Sequence, residues 1–186
     1  MQAVQELTAF AAAAEVDLSG VVGVVVGDDV TAARQLLRGI DGPAELLLGP
    51  HATPCDIDHH GAVVHHYDDD RACPAATHAY DRLVVLAGAL GGPIGLAPRL
   101  QELRRTLRPD GVAIVQTGPL SQAHLPGEPR SRPTLREIQL AGLNAGLAIV
   151  KARVDTPPVR LSLADHRAPL SELAVSGGSL LLVPLW

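Results

Sequence analysis

The chain has 186 residues, 47% of them hydrophobic and 19% charged, which is enough for one well-buried core and too short for two ordinary domains. That balance excludes a disordered chain, and a formal charge of −5 provides no cationic field for a nucleic-acid backbone. Aromatics are 2% of the residues and Lys151 is the one lysine, so the core has to be built from Ala, Val, Leu and Ile.

Residues 2–15 are Ala-rich with Val4, Leu7, Phe10 and Ala11 at helical spacing, which predicts an opening helix. The β-branched run Val21 to Val26 predicts a buried strand that ends at Gly27-Asp28-Asp29, and Thr31 to Arg38 a helix closed by Gly39. Short strands are expected at Glu45–Leu48 and Ala62–His66, the second running into the acidic triplet Asp68, Asp69 and Asp70. Leu83–Leu86 predicts a fourth strand after Tyr80-Asp81. The recurrence of Leu96, Leu100, Leu103 and Leu107 predicts a helix that stops at a turn, Arg108-Pro109-Asp110-Gly111. Val112–Val115 resumes as a strand, and residues 118–133 read as a long surface loop. A helix over 134–145, a strand Leu147–Val154, a turn at Ser176-Gly177-Gly178-Ser179 and a last strand Leu180–Leu185 complete the chain. Alternating strands and helices predict a doubly wound α/β domain with a mostly parallel sheet covered on both faces.

Three adjoining features carry a resemblance to a known family: Tyr80-Asp81 ahead of a strand, a helix leading into Leu107-Arg108-Pro109-Asp110-Gly111, and the strand Val112–Val115 directly after it. The chain resembles a class I S-adenosylmethionine-dependent methyltransferase, a Rossmann-like domain. Residues 80–186 match better, 20–79 match only by order of elements, and 1–19 add an N-terminal helix. The resemblance implies a single domain, 1–186, with a seven-stranded sheet, helices on both faces and an antiparallel last strand.

The same resemblance implies where the cofactor would sit. In the family a glycine-rich turn follows the first strand and an acid ends the second, holding the ribose. Here Gly27 matches, while Val25 and Asp29 stand where further glycines are expected. Their β-carbons would push the backbone from a ligand or deny it a positive φ. Strand two ends Leu46-Leu47-Leu48-Gly49-Pro50 with no acid. Gly27, Asp28 and Asp29 with Asp68, which stands where the family places an Asp near the adenine amino group, are thus the cofactor-binding candidates.

His124, in the 118–133 loop, is the candidate general base, because imidazole titrates near neutrality. His51, Cys55, His59 and His60 are possible metal ligands, but their spacing matches no zinc signature, and a solvated loop without metal is expected. Strand alternation sends His65 and His66 to opposite faces. Cys73, before Pro74, is expected to be a small packing residue rather than a reactive thiol. No Gly-x-Ser-x-Gly elbow or phosphate loop is present.

No apolar run is long enough to span a membrane, and Met1 is followed by Gln2, Ala3, Val4, Gln5 and Glu6 rather than by a basic, then apolar, signal. A cytoplasmic protein with reduced cysteines is expected, with neither membrane nor nucleic acid as partner. The intact second half beside a broken first turn leads to a degenerate, pseudoenzyme-like methyltransferase fold. It would serve as a non-catalytic partner or scaffold subunit, a homo-oligomer, or a repurposed small-molecule binder, with no S-adenosylmethionine bound. The alternative is an active small-molecule methyltransferase, or another reaction on this fold, using an atypical cofactor turn. As contacts for a partner, the N-terminal helix and the Leu180–Trp186 strand are expected.

Overall fold

A computed structural model describes residues 2–26, 30–48, 61–66, 73–87, 89–90, 95–117, 135–155 and 177–185. Its elements, in chain order, are α1 (Gln2–Ala13), β1 (Val22–Val26), α2 (Val30–Leu37), β2 (Ala44–Leu48), β3 (Val63–His66), β4 (Tyr80–Val85), α3 (Leu96–Thr106), β5 (Leu107–Thr117), α4 (Leu135–Asn144), β6 (Leu147–Asp155) and β7 (Gly177–Pro184). The strands form one seven-stranded sheet in the order β3-β2-β1-β4-β5-β7-β6. Strands β1 to β5 run parallel, and β7 is antiparallel to both β5 and β6.

Period-two alternation sorts the strand side chains into two cores. Val22, Val24 and Val26 of β1, Leu46 and Leu48 of β2, Val84 and Ile114 pack beneath α1 and α2, which contribute Leu7, Phe10, Ala33, Leu36 and Leu37. On the other face Val25, Leu47, Leu83, Val85, Ala113 and Val115 pack beneath Leu100 and Leu103 of α3 and Ile138 of α4. Burying each such Leu or Val side chain stabilises the fold by about 1.5–3 kcal/mol, which is why aliphatic residues suffice with so few aromatics.

The doubly wound architecture and the antiparallel last strand follow the sequence reading; three local expectations do not. Tyr80 and Asp81 are the first residues of β4 rather than a preceding loop. The Arg108–Gly111 segment does not separate helix from strand. It lies inside β5, where Tyr80 pairs with Leu107 and Arg82 with Val112, so residues 108–111 form an irregularity opposite Asp81. The Leu107 N–H still donates to the Leu103 carbonyl, so α3 passes straight into extended chain. Finally, Gly177–Ser179 belong to β7, which is paired on both sides. Leu180, Leu181 and Leu182 are therefore buried inside the sheet and offer no edge to a partner; the edges are β3 and β6.

The amino-terminal ends of β1 and β4 are fastened by polar contacts. Asp81 Oδ2 accepts a hydrogen bond from the Val21 N–H at 2.8 Å, and Arg108 Nη1 donates to Asp81 Oδ1 at 2.5 Å. Gly20, at φ +81°, leaves the room this needs, since a β-carbon there would stand 2.6 Å from Asp81 Oδ2. No helix among the described residues is long and apolar enough to cross a membrane.

Candidate functional site

The carboxyl ends of β1, β2 and β4 meet under α3, at the position where open α/β sheets bind ligands. Val25, Leu47 and Val85 form the floor of a small cavity there, of about 40 Å³. Ala89 and Leu90 after β4, with Arg99, Glu102, Leu103 and Thr106 of α3, make its walls, and Cys73 lines it from the crossover between β3 and β4.

Val25 is extended and in register with Leu47 and Val85, and the Leu86 N–H donates to its carbonyl at 3.0 Å. Its backbone is not in the left-handed region, so a valine there is unstrained. What the side chain does is occupy space, as one wall of the cavity. At the end of β2, Leu48 is buried in the opposite core. The one carboxylate of β2, Glu45, is engaged three residues earlier: Tyr80 Oη donates to Glu45 Oε2 at 2.7 Å, and His65 Nε2 stands 3.2 Å from the same oxygen. The Tyr80 ring reaches Glu45 by passing over Gly23, where a β-carbon would lie 2.9 Å from the ring carbons Cδ2 and Cε2. Burial, reinforced by the hydrogen bond to Glu45, pushes the Tyr80 hydroxyl well above its ordinary range.

The crossover residues Cys73–Ala79 contain no helix. They are held by Arg105 of α3, which donates to the carbonyls of Cys73 and Ala75, each at 2.9 Å, and to Glu102 at 2.8 Å. Glu102 in turn accepts from the Cys73 N–H at 3.1 Å. The Arg105 carbonyl accepts from the His78 N–H at 2.9 Å, closing the clamp. Despite an opposing cost of desolvation, which is the largest single influence, the Arg105 and Cys73 hydrogen bonds hold the Glu102 carboxyl below its usual range. Burial raises the Cys73 thiol above its ordinary range. The sequence reading passed over Arg105 and Glu102. Their i, i+3 spacing was the only available signal.

Of the residues singled out from sequence, Gly27, Asp28, Asp29 and Asp68 lie outside the described residues. So do His124 and the metal alternative His51, Cys55, His59 and His60. His65 and His66 are described: His65 faces Glu45, on the side of the sheet that α3 covers.

The parallel order broken only by an antiparallel β7 between β5 and β6, with a crevice at the ends of β1 and β4, defines a class I methyltransferase-like α/β fold. Solved structures place the chain in that fold class. The [4+2]-cyclase SpnF aligns with a TM-score of 0.68 at 13% identity, covering 98% of this chain and 82% of that one. Geranyl diphosphate C-methyltransferase from Streptomyces coelicolor A3(2), in complex with Mg2+, geranyl diphosphate and S-adenosyl-L-homocysteine, aligns at 0.65 with 11% identity over 90% and 74%. A Haloferax volcanii protein described as a methyltransferase, in complex with the Trm112 methyltransferase activator, aligns at 0.60 with 15% identity over 89% and 83%. No protein-family profile matches the sequence. No curated protein matches it either.

Proposed function

We propose that this chain is a methyltransferase-fold protein that has lost its nucleoside site and works as a non-catalytic partner or scaffold subunit, or as a binder of a small molecule other than S-adenosylmethionine. The observation that carries this reading is the identity of the groups where β1, β2 and β4 end. Val25, Leu47 and Val85 are apolar, and the one carboxylate of β2, Glu45, lies near the strand's amino end, tied to Tyr80. A ribose needs a hydrogen-bond acceptor for its hydroxyls, and burying those hydroxyls against aliphatic walls costs roughly 1–3 kcal/mol for each one left unmade.

A partner role draws support from the structural neighbour that is held by an activator protein. A second reading, an active methyltransferase with an atypical turn at Gly27-Asp28-Asp29, is favoured by the neighbour that holds S-adenosyl-L-homocysteine on the same fold. Titration calorimetry with S-adenosylmethionine separates the two. The proposed reading expects no heat of binding, whereas stoichiometric micromolar binding, abolished by Gly27→Leu, would establish the second. Light scattering of the purified chain tests self-association, the oligomeric form of the partner role.

A further inference from the structure

Arg99, Glu102, Leu103 and Thr106 recur at helical spacing on the face of α3 that covers the cavity. Glu102 and Thr106 are spent on other protein groups. Glu102 accepts from Arg105 and from the Cys73 N–H, so its charge is matched by Arg105. Thr106 Oγ1 turns back along its own helix to the carbonyls of Glu102 and Leu103, at 3.1 and 3.2 Å. Arg99 differs. Its Nη1 donates to the Ala89 carbonyl at 2.5 Å, which fixes the guanidinium against the chain leaving β4. Its Nε is buried and makes no hydrogen bond among the described residues. With Glu102 matched, Arg99 gives the cavity wall a net positive charge, beside the aliphatic surface of Val25, Leu47, Val85, Leu90 and Leu103.

From this we infer that the cavity under α3 binds a carboxylate carried on a short aliphatic chain, with Arg99 as the residue that holds the carboxylate. The inference rests on the proposed reading of a binder for a small molecule other than S-adenosylmethionine, and names the chemical class of that molecule. A guanidinium meets a planar carboxylate along the edge formed by Nε and a terminal nitrogen, with two parallel charge-assisted bonds. The Ala89 bond uses Nη1, so a carboxylate taken along the Nε edge leaves that bond intact. A buried donor without an acceptor is costly, and an acceptor on the ligand recovers that loss, which an arginine in open water would not gain. One guanidinium balances one negative charge, which favours a carboxylate over a phosphate monoester with its charge of about −1.5 to −2. The aliphatic walls then select the rest of the molecule, since they offer a polar chain nothing to bond.

The test uses the full chain with carbon-13-labelled methyl groups and nitrogen-15-labelled arginine, and two probes of the same shape, butyrate and butyramide. Butyrate should move the methyl signals of Val25, Leu47, Val85, Leu90 and Leu103 in a saturable way and shift the Arg99 Nε–H resonance in step. The methyls of Leu7 and Leu36, in the opposite core, should stay in place. Butyramide should bind more weakly by about tenfold or more, as expected when a hydrogen bond to a charged group becomes a neutral one. Arg99→Met, which keeps an aliphatic stem, should bring butyrate down to the level of butyramide. If that variant misfolds, the Arg99 Nε–H signal of the wild type decides the matter alone. No saturable binding of butyrate, equal affinity for the two probes, or saturation with an unmoved Arg99 signal would each overturn the inference and leave the calorimetric result with S-adenosylmethionine untouched. Binding of S-adenosylmethionine that butyrate displaces would overturn both readings, because Arg99 would then hold the carboxylate of the cofactor itself.

Discussion

Arg108 and Asp81 form an ion pair 2.5 Å long that joins the irregular stretch of β5 to the second residue of β4. Because the other Asp81 oxygen accepts the Val21 N–H, one carboxylate fixes three segments at the amino end of the sheet. The Val21 hydrogen bond, aided by Arg108 and working against desolvation, holds the Asp81 carboxyl below its ordinary 3.8. A depressed carboxyl contributes stability that is present above its unfolded pKa and lost as pH falls through the folded value. Asp81→Asn is therefore expected to lower stability at pH 7 by about 1.5–3 kcal/mol, the range for hydrogen bonds to charged groups. The gap between variant and wild type should narrow below pH 4 or so, as urea unfolding at pH 7 and pH 3 would reveal.

Tyr80 gives the opposite sign. Its hydroxyl is raised above the ordinary 10.0 by burial and by Glu45, so its contribution is complete below that pH and declines as pH rises toward the folded value. Tyr80→Phe should cost about 1–2 kcal/mol at pH 7. In alkaline denaturation the wild type should lose stability above pH 10 or so more steeply than the variant; parallel curves would contradict the buried hydroxyl.

The Tyr80 ring lies where only a residue without a side chain can stand beneath it. Gly23→Ala would place a β-carbon 2.9 Å from two ring carbons and 2.8 Å from Leu83 Cδ1. The expected penalty is about 1–3 kcal/mol, or a midpoint lowered by about 2–4 °C per kcal/mol, measurable by thermal denaturation. The double variant with Tyr80→Leu should recover part of it, because the planar ring is the part that cannot move aside.

Arg105 holds Cys73 against α3, and that contact sets how accessible the thiol is. In a Cys55→Ser background, Arg105→Gln should increase the labelling rate of Cys73 by a neutral thiol reagent by about tenfold or more, since local opening governs access to a half-buried thiol. An unchanged rate would mean that the packing of Ala75 in the core holds the crossover without Arg105.

Much of the sheet was legible because apolar strands and a leucine-striped helix carry their period in the chain itself. Val22–Val26, Leu46–Leu48 and Leu83–Val85 are buried as their runs of β-branched and aliphatic residues require, and Leu100 and Leu103 face the core. The Pro109-Asp110-Gly111 signal was read as a turn, which local chemistry favours. Pairing of Leu107 with Tyr80 instead kept the chain extended on both sides of it, a choice made by a strand 27 residues earlier.

The amino-acid sequence by itself thus determined the class of fold, the order of its layers and the absence of an acid at the end of β2, because burial periodicity and residue identity are local properties. Only the tertiary structure decided that Glu45 serves Tyr80 and His65, that Arg105 clamps the crossover, and that Val25, Leu47 and Val85 share one cavity. Those relationships join residues 20–60 positions apart, and the parallel register that brings them together is set by the packing of the whole sheet.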